Sequence, residues 1–131
     1  MKILIVDDLV GNRMMLSTIL APLGHYDVAT DGVEALEWVE AALTEGKPYD
    51  LIMLDIMMPN MDGQTALQAI RAREQEYHSK EAVIIMVSAD TSPDAVTQAF
   101  FKGYCTDYLA KPITRQMVLD KLKEYGLIAE A

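Results

Sequence analysis

Three short runs in this chain, Ile3 to Val6, Leu51 to Leu54 and Ala82 to Val87, contain no polar residue at all. Such runs are too short for core helices and lack the alternation of a strand with one face in water. They fit strands covered on both faces, as in a parallel sheet held between helices. The constraint is severe, because parallel neighbours must be joined by a crossover long enough to hold a helix. The intervening stretches supply one each time.

Leu16, Ile19, Leu20 and Leu23 give Asn12 to Leu23 the stripe of a helix packed on a sheet. Gly24 is expected to close it in the left-handed conformation, and Pro22 to loosen its last turn. Tyr26 to Ala29 read as a more polar strand suited to a sheet edge. Asp31 and Glu34 are spaced for reciprocal capping of a second helix, with Leu36, Val39 and Leu43 inward, Trp38 packed beside them, and Gly46-Lys47-Pro48 at its end. Asp62 caps a third helix with Ala66, Leu67 and Ile70 inward, and its charged tail, Arg71 to Glu81, reads as a solvated helix end and loop. Ser92-Pro93 opens a fourth helix, which turns Val96, Ala99 and Phe100 inward and stops at Gly103. Tyr108 to Ala110 form the fifth strand, and Thr114 caps a last helix with Met117 or Val118, Leu122 and Tyr125 on its apolar side. Strand and helix alternate five times, which predicts an α/β fold: a doubly wound five-stranded parallel sheet with right-handed crossovers.

The 131 residues suit one domain, 1–131, and the last helix ends so close to the C-terminus that no second domain is expected. Twenty acidic against eleven basic residues, a net charge of −9 with no Lys/Arg cluster, argue against a nucleic-acid surface. No apolar run approaches the ~20 residues that span a bilayer, so no membrane insertion is expected. One cysteine, Cys105, cannot form an internal disulfide and has no base beside it; a structural thiol and a cytoplasmic location follow as expectations. His25 and His78 have no spacing partners and read as surface residues.

All strand carboxyl ends of a parallel sheet lie on one edge, where open α/β sheets bind their ligands. Four of the five strands deliver a functional type of residue there: Asp7 and Asp8, then Asp55, Ser88 and Lys111. Converging carboxylates repel and need raised pKa values or a cation. Hard oxygen donors with room for water select Mg²⁺, with Mn²⁺ as a substitute. A lysine is a point charge for phosphoryl oxygens and a serine hydroxyl can donate to one, so the set describes phosphoryl transfer. An Asp carboxylate can itself attack phosphorus. Asp55, single and central, is the candidate nucleophile, while the Asp7-Asp8 pair is more metal-like.

Val6-Asp7-Asp8, Leu54 to Gly63 (LDIMMPNMDG), Ser88-Ala89-Asp90 and Tyr108 to Ile113 (YLAKPI) resemble the motif set of bacterial response-regulator receiver domains, over essentially the whole chain and in the family's order. The resemblance implies a flavodoxin-like sheet of order 2-1-3-4-5. It implies phosphoryl transfer to Asp55 from a phosphohistidine on a sensor histidine kinase or histidine phosphotransferase. Asp8 would hold Mg²⁺ directly and Asp7 through water, with Asp55 and the Met57 carbonyl as the other protein ligands. Lys111 would contact the phosphoryl group, and its bond to Pro112 is typically cis in this family. Ser88 stands at the switch hydroxyl and Tyr108 at the switch aromatic, which together would remodel the face formed by the fourth helix, fifth strand and fifth helix. Met57 and Asp90 occupy positions where the family varies and phosphate lifetime is tuned.

The resulting expectation is a stand-alone switch, not a turnover enzyme, that works by docking on partner proteins as a monomer or a phosphorylation-dependent dimer. Candidate surfaces are the first helix, with Asn12 to Met15, and the fourth, with Phe100, Phe101 and Tyr104. Three alternatives remain beside it: a receiver segment of a longer regulator, a metal-dependent phosphohydrolase, and a receiver that binds partners without phosphate. The hydrolase is disfavoured because Ile56 and Met57, and no second acid, follow Asp55. The phosphate-independent receiver is disfavoured because every site position is filled.

Overall fold

Each of the apolar runs forms a strand. The computed structural model describes residues 1–129. In it β1 (Lys2–Val6), β2 (His25–Ala29), β3 (Leu51–Asp55), β4 (Val83–Ser88) and β5 (Asp107–Ala110) build one five-stranded sheet of order β2-β1-β3-β4-β5, every pair parallel. The crossovers carry α1 (Val10–Leu20), α2 (Gly32–Thr44), α3 (Gly63–Glu76) and α4 (Pro93–Thr97), and α5 (Arg115–Glu124) follows β5. The three wholly apolar runs occupy the three inner strands. The polar β2 lies at the edge, where only one side needs a covered backbone.

Strand pleating splits the core in two. Leu4, Val6, Ile52, Leu54, Ile84 and Met86 face Ala35, Val39, Ala66, Leu67 and Ile70 of α2 and α3. Ile3, Ile5, Leu51, Met53, Ile85 and Val87 face Leu16, Ile19, Leu20, Val118 and Leu122 of α1 and α5. A sheet with both faces covered needs strands that are apolar on both sides, which is why the runs do not alternate. Asp62, Ser92 and Thr114 cap α3, α4 and α5 by accepting backbone N–H groups of Thr65, Ala95 and Met117.

Several local expectations are corrected. The first helix runs from Val10 to Leu20 and tightens into a 3₁₀ turn over Ala21–Leu23, which Pro22 tolerates because it stands in that turn's first residues. Gly24 has φ 170, ordinary extended backbone. It is small because a Cβ there would lie 2.2 Å from the Met1 carbonyl oxygen. Only half of the Asp31–Glu34 box forms: Asp31 accepts from the Glu34 N–H, while the Glu34 carboxylate accepts from the Thr30 hydroxyl. Trp38, 39% exposed, lies at the margin of the buried stripe of α2. Past Thr97 the fourth helix widens into a π-turn, Gln98–Lys102, whose closing bond runs from the Gly103 N–H to Gln98.

The largest correction concerns the tail after α3. Arg71 and Glu74 are 7% and 4% exposed, not solvated. Arg71 Nη1 donates to Glu74 Oε1 at 2.8 Å and to the Ala82 carbonyl at 2.9 Å, and its Nε donates to the Tyr104 carbonyl at 2.9 Å. Glu74 Oε2 accepts the Ala82 N–H at 2.7 Å. A charge run read by composition gives no sign that two of its members turn inward to serve backbone groups at the starts of β4 and β5.

Candidate phosphoryl-acceptor site

The register brings the strand ends level: Val6 pairs with Leu54, Asp55 with Val87, and Ser88 with Ala110. Asp7, Asp55 and Lys111 therefore converge at the carboxyl edge. One carboxylate oxygen from each of Asp7, Asp8 and Asp55 lies within 4.8 Å of the other two. Asp7 and Asp55 are buried, and Asp8 is the most open of the three. Lys111 Nζ stands between the two buried acids, 3.5 Å from Asp7 Oδ2 and 3.4 Å from Asp55 Oδ2.

Neighbouring backbone fixes these side chains. Asp7 Oδ1 accepts the Leu9 N–H at 2.9 Å, and the Asn12 amide reaches the same oxygen at 3.5 Å. Asp55 Oδ1 accepts the Met57 N–H at 3.4 Å. Gly63 enters α3 against the back of Asp55: its N–H donates to the Ile56 carbonyl at 2.8 Å, and a Cβ there would lie 2.1 Å from the Asp55 carbonyl oxygen. Lys111 is placed by its own N–H, bonded to the Ser88 carbonyl at 2.9 Å, and by the cis bond to Pro112.

Burial is the main reason the Asp55 carboxyl sits above its usual pKa, and the negative charge of Asp7 pushes the same way. Lys111 and the Met57 N–H oppose that shift without cancelling it. Three acids against Lys111 and the Arg13 guanidinium, whose Nη1 donates to the Asp7 carbonyl at 2.8 Å, still leave negative charge in a part-buried cleft. Oxygen donors in that number, with a backbone turn beside them, fit a hard divalent cation.

The Ser88 and Tyr108 hydroxyls bond to Asp90 and not to this cluster. The Ser88 hydroxyl oxygen accepts the Asp90 N–H at 3.0 Å, and the Tyr108 hydroxyl donates to the Asp90 carbonyl. One residue of the β4–α4 loop thus joins the two. Asp90 Oδ1 is occupied by the Ser92 N–H at 2.9 Å. Met57 is exposed at 69%, beside the cluster. Gln64 was not singled out in the sequence: it is buried on α3, donates to the Ala95 carbonyl of α4 at 2.9 Å, and lines a cleft with Asp8 and Met57. A glutamine in the first turn of a helix carries no pattern that would have flagged it.

Residues 3–123 match the response regulator receiver domain family. The chain belongs to that family. Among curated relatives, the receiver is 34% identical over 128 residues to the sensor histidine kinase GacS of Pseudomonas protegens, covering 96% of this chain but 13% of that protein. It is 32% identical over 121 residues to the chemotaxis protein CheY of Treponema pallidum, covering 92% of this chain and 79% of that one. Among solved structures it is similar to a chain of the CheX–CheY–BeF3–Mg²⁺ complex from Borrelia burgdorferi, with a TM-score of 0.81, 30% identity and coverage of 95% and 88% of the two chains. The sheet order and five-helix arrangement are those of CheY-like, flavodoxin-like receivers. The receiver is thus a module of two-component signalling, and it spans about an eighth of the first of these relatives. Among the described residues no helix is long and apolar enough to cross a membrane.

Proposed function

We propose that this receiver accepts a phosphoryl group on Asp55. The observation that carries the reading is the convergence of three carboxylates within 4.8 Å of one another, two of them straddled by Lys111. An Asp55 oxygen attacks the phosphorus of a phosphohistidine on a histidine kinase or phosphotransferase. The new O–P bond forms as the P–N bond breaks, and its electron pair leaves with the imidazole nitrogen. Lys111, already within reach of Asp55, balances charge on the arriving phosphoryl oxygens. The Asp8 and Asp55 carboxylates and the Met57 carbonyl would hold Mg²⁺, with Asp7 acting through water; the ion would neutralise phosphoryl charge. The magnesium named in the Borrelia burgdorferi complex supports that assignment.

The Ser88–Asp90–Tyr108 chain supplies the route outward. The Ser88 hydroxyl turns toward the phosphoryl oxygens and releases the Asp90 N–H. The loop carbonyl that holds the Tyr108 hydroxyl moves with it, and the face of α4, β5 and α5 changes shape. Phosphorylation shifts a population between two arrangements, so the protein acts as a switch for partner binding and not as a turnover enzyme. It does so in the cytoplasm.

The relatives favour a second setting for the same site, as the receiver segment of a longer signalling protein. The apparent mass of the endogenous polypeptide in a cell lysate separates the two settings.

The chemistry is tested by intact mass after incubation with Mg²⁺ and a small acyl-phosphate donor. One base-labile phosphoryl group is expected on the native chain and none on Asp55→Asn. An unmodified native chain, or a modified Asp55→Asn, overturns the reading.

A further inference from the structure

Away from the acidic cluster, α2 and α3 border an open groove of about 680 Å³ on the far side of the sheet from α1 and α5. Its apolar lining comes from Val33, Leu36, Ala41 and Met61, and Val33 is 42% exposed. The rim is acidic. Helix α2 carries three glutamates and neither lysine nor arginine, and Glu45 follows at its end. The single arginine on the lining, Arg73, is already engaged, with Nε 3.2 Å from Glu40 and Nη1 3.3 Å from Glu76. Among the described residues Glu37 and Glu45 have no ion-pair partner, and both are exposed.

An apolar trough of this volume with unneutralised carboxylates along one rim is complementary to a helix whose apolar stripe is flanked by Lys and Arg. A second copy of the chain does not fit, because its net charge of −9 repels the rim. We propose that the α2–α3 groove docks a basic amphipathic helix of a partner protein. The groove is not isolated from the phosphoryl-acceptor site. Met61 lies on the loop that leaves Asp55, and the Met61 carbonyl accepts the Gly32 N–H at the start of α2 at 3.1 Å. The Asn60 amide donates to Asp31 Oδ2 at 2.7 Å across the same seam. An occupant of the groove therefore presses on the loop that carries Met57.

The docking surface stands independently of phosphoryl acceptance, so its test uses the full chain without phosphodonor. The probe is a synthetic helical peptide with leucine at i, i+3, i+4 and i+7 and lysine on both flanks, followed by amide chemical shifts. Saturable shifts centred on Val33, Leu36, Ala41 and Met61 are expected. Glu37→Lys with Glu45→Lys weakens binding about tenfold. Asp120→Lys with Glu124→Lys, an equal charge change on α5, alters it less than about twofold. Equal loss in both pairs, shifts centred on another face, or no saturable binding at about 1 mM peptide overturns the proposal.

Discussion

Two ionic clusters sit in this sheet and are built on opposite plans. At the carboxyl edge, three carboxylates converge and two of them, Asp55 and Asp7, share one lysine at 3.4 and 3.5 Å. Between α3 and the starts of β4 and β5, one guanidinium meets one carboxylate at 2.8 Å. There Arg71 also serves the Tyr104 and Ala82 carbonyls, and Glu74 serves the Ala82 N–H. The second cluster is neutral and internally bonded, so it has nothing to offer a ligand and much to offer the fold. Among the described residues the first sets three carboxylates against Lys111 and the Arg13 guanidinium, which donates to the Asp7 carbonyl at 2.8 Å, so an excess of negative charge remains. Burial alone does not mark a functional charge; burial with unbalanced charge does.

The contrast breaks most visibly at Arg71. Arg71→Leu strands the Glu74 carboxylate in the core and is expected to cost about 3–5 kcal/mol, read from the midpoint of chemical denaturation. A loss below about 1 kcal/mol would mean that the pair is no more structural than a surface bridge. Cation binding comes next in size. Mg²⁺ at a hundredfold excess over its dissociation constant should stabilise the native chain by about 2.7 kcal/mol, seen as a rise in thermal midpoint. Neutralising either Asp8 or Asp55 should shrink that rise, while Arg71→Leu should leave it in place.

The smallest effect has an unusual sign. Because burial and Asp7 raise the Asp55 pKa, its ionised form costs stability in the fold. Asp55→Asn in cation-free buffer should therefore stabilise the chain at pH 7. The gain should fade as pH falls through the raised pKa and vanish below the ordinary carboxylate range. Asp107 behaves oppositely: burial pulls its pKa up, but Lys121, Tyr125 and the Tyr108 N–H hold it below the usual value. Its contribution is present above that ordinary range and disappears as pH drops beneath it. Melting curves from pH 3 to 8 for native and Asp55→Asn proteins separate the two trends, and parallel curves would contradict the assignment of strain to the acidic edge.

The inner strands were legible because two-sided burial leaves no choice of residue at Ile3 to Val6 or Leu51 to Leu54. The carboxyl-edge residues were legible for a related reason: a polar group that ends an apolar strand has one place to go. The caps at Asp62, Ser92 and Thr114 depend on neighbours within three residues, so they too are written locally. Arg71 and Glu74 escaped because their partners lie across the chain, at Ala82 and Tyr104, and are backbone groups with no side-chain identity. The π-turn at Gln98–Lys102 escaped because a five-residue step leaves the same apolar residues inward as a four-residue one over so short a span. Cys105 fits the structural reading, since burial pushes its thiol up to about 11 and away from reactivity.

Gly63 shows how a survey of tolerated substitutions would read this protein. The backbone behind Asp55 has no space for even a methyl group at that position. Alanine there must displace the strand end at Asp55 or the start of α3, so it is expected to weaken output as a change at Asp55 itself would. Ranked by loss of output alone the two positions would look alike, though one lacks room for an added atom and the other is the proposed phosphoryl acceptor. Separating them takes a readout of folding beside the readout of signalling, because Gly63→Ala is expected to disturb the backbone and Asp55→Asn is not.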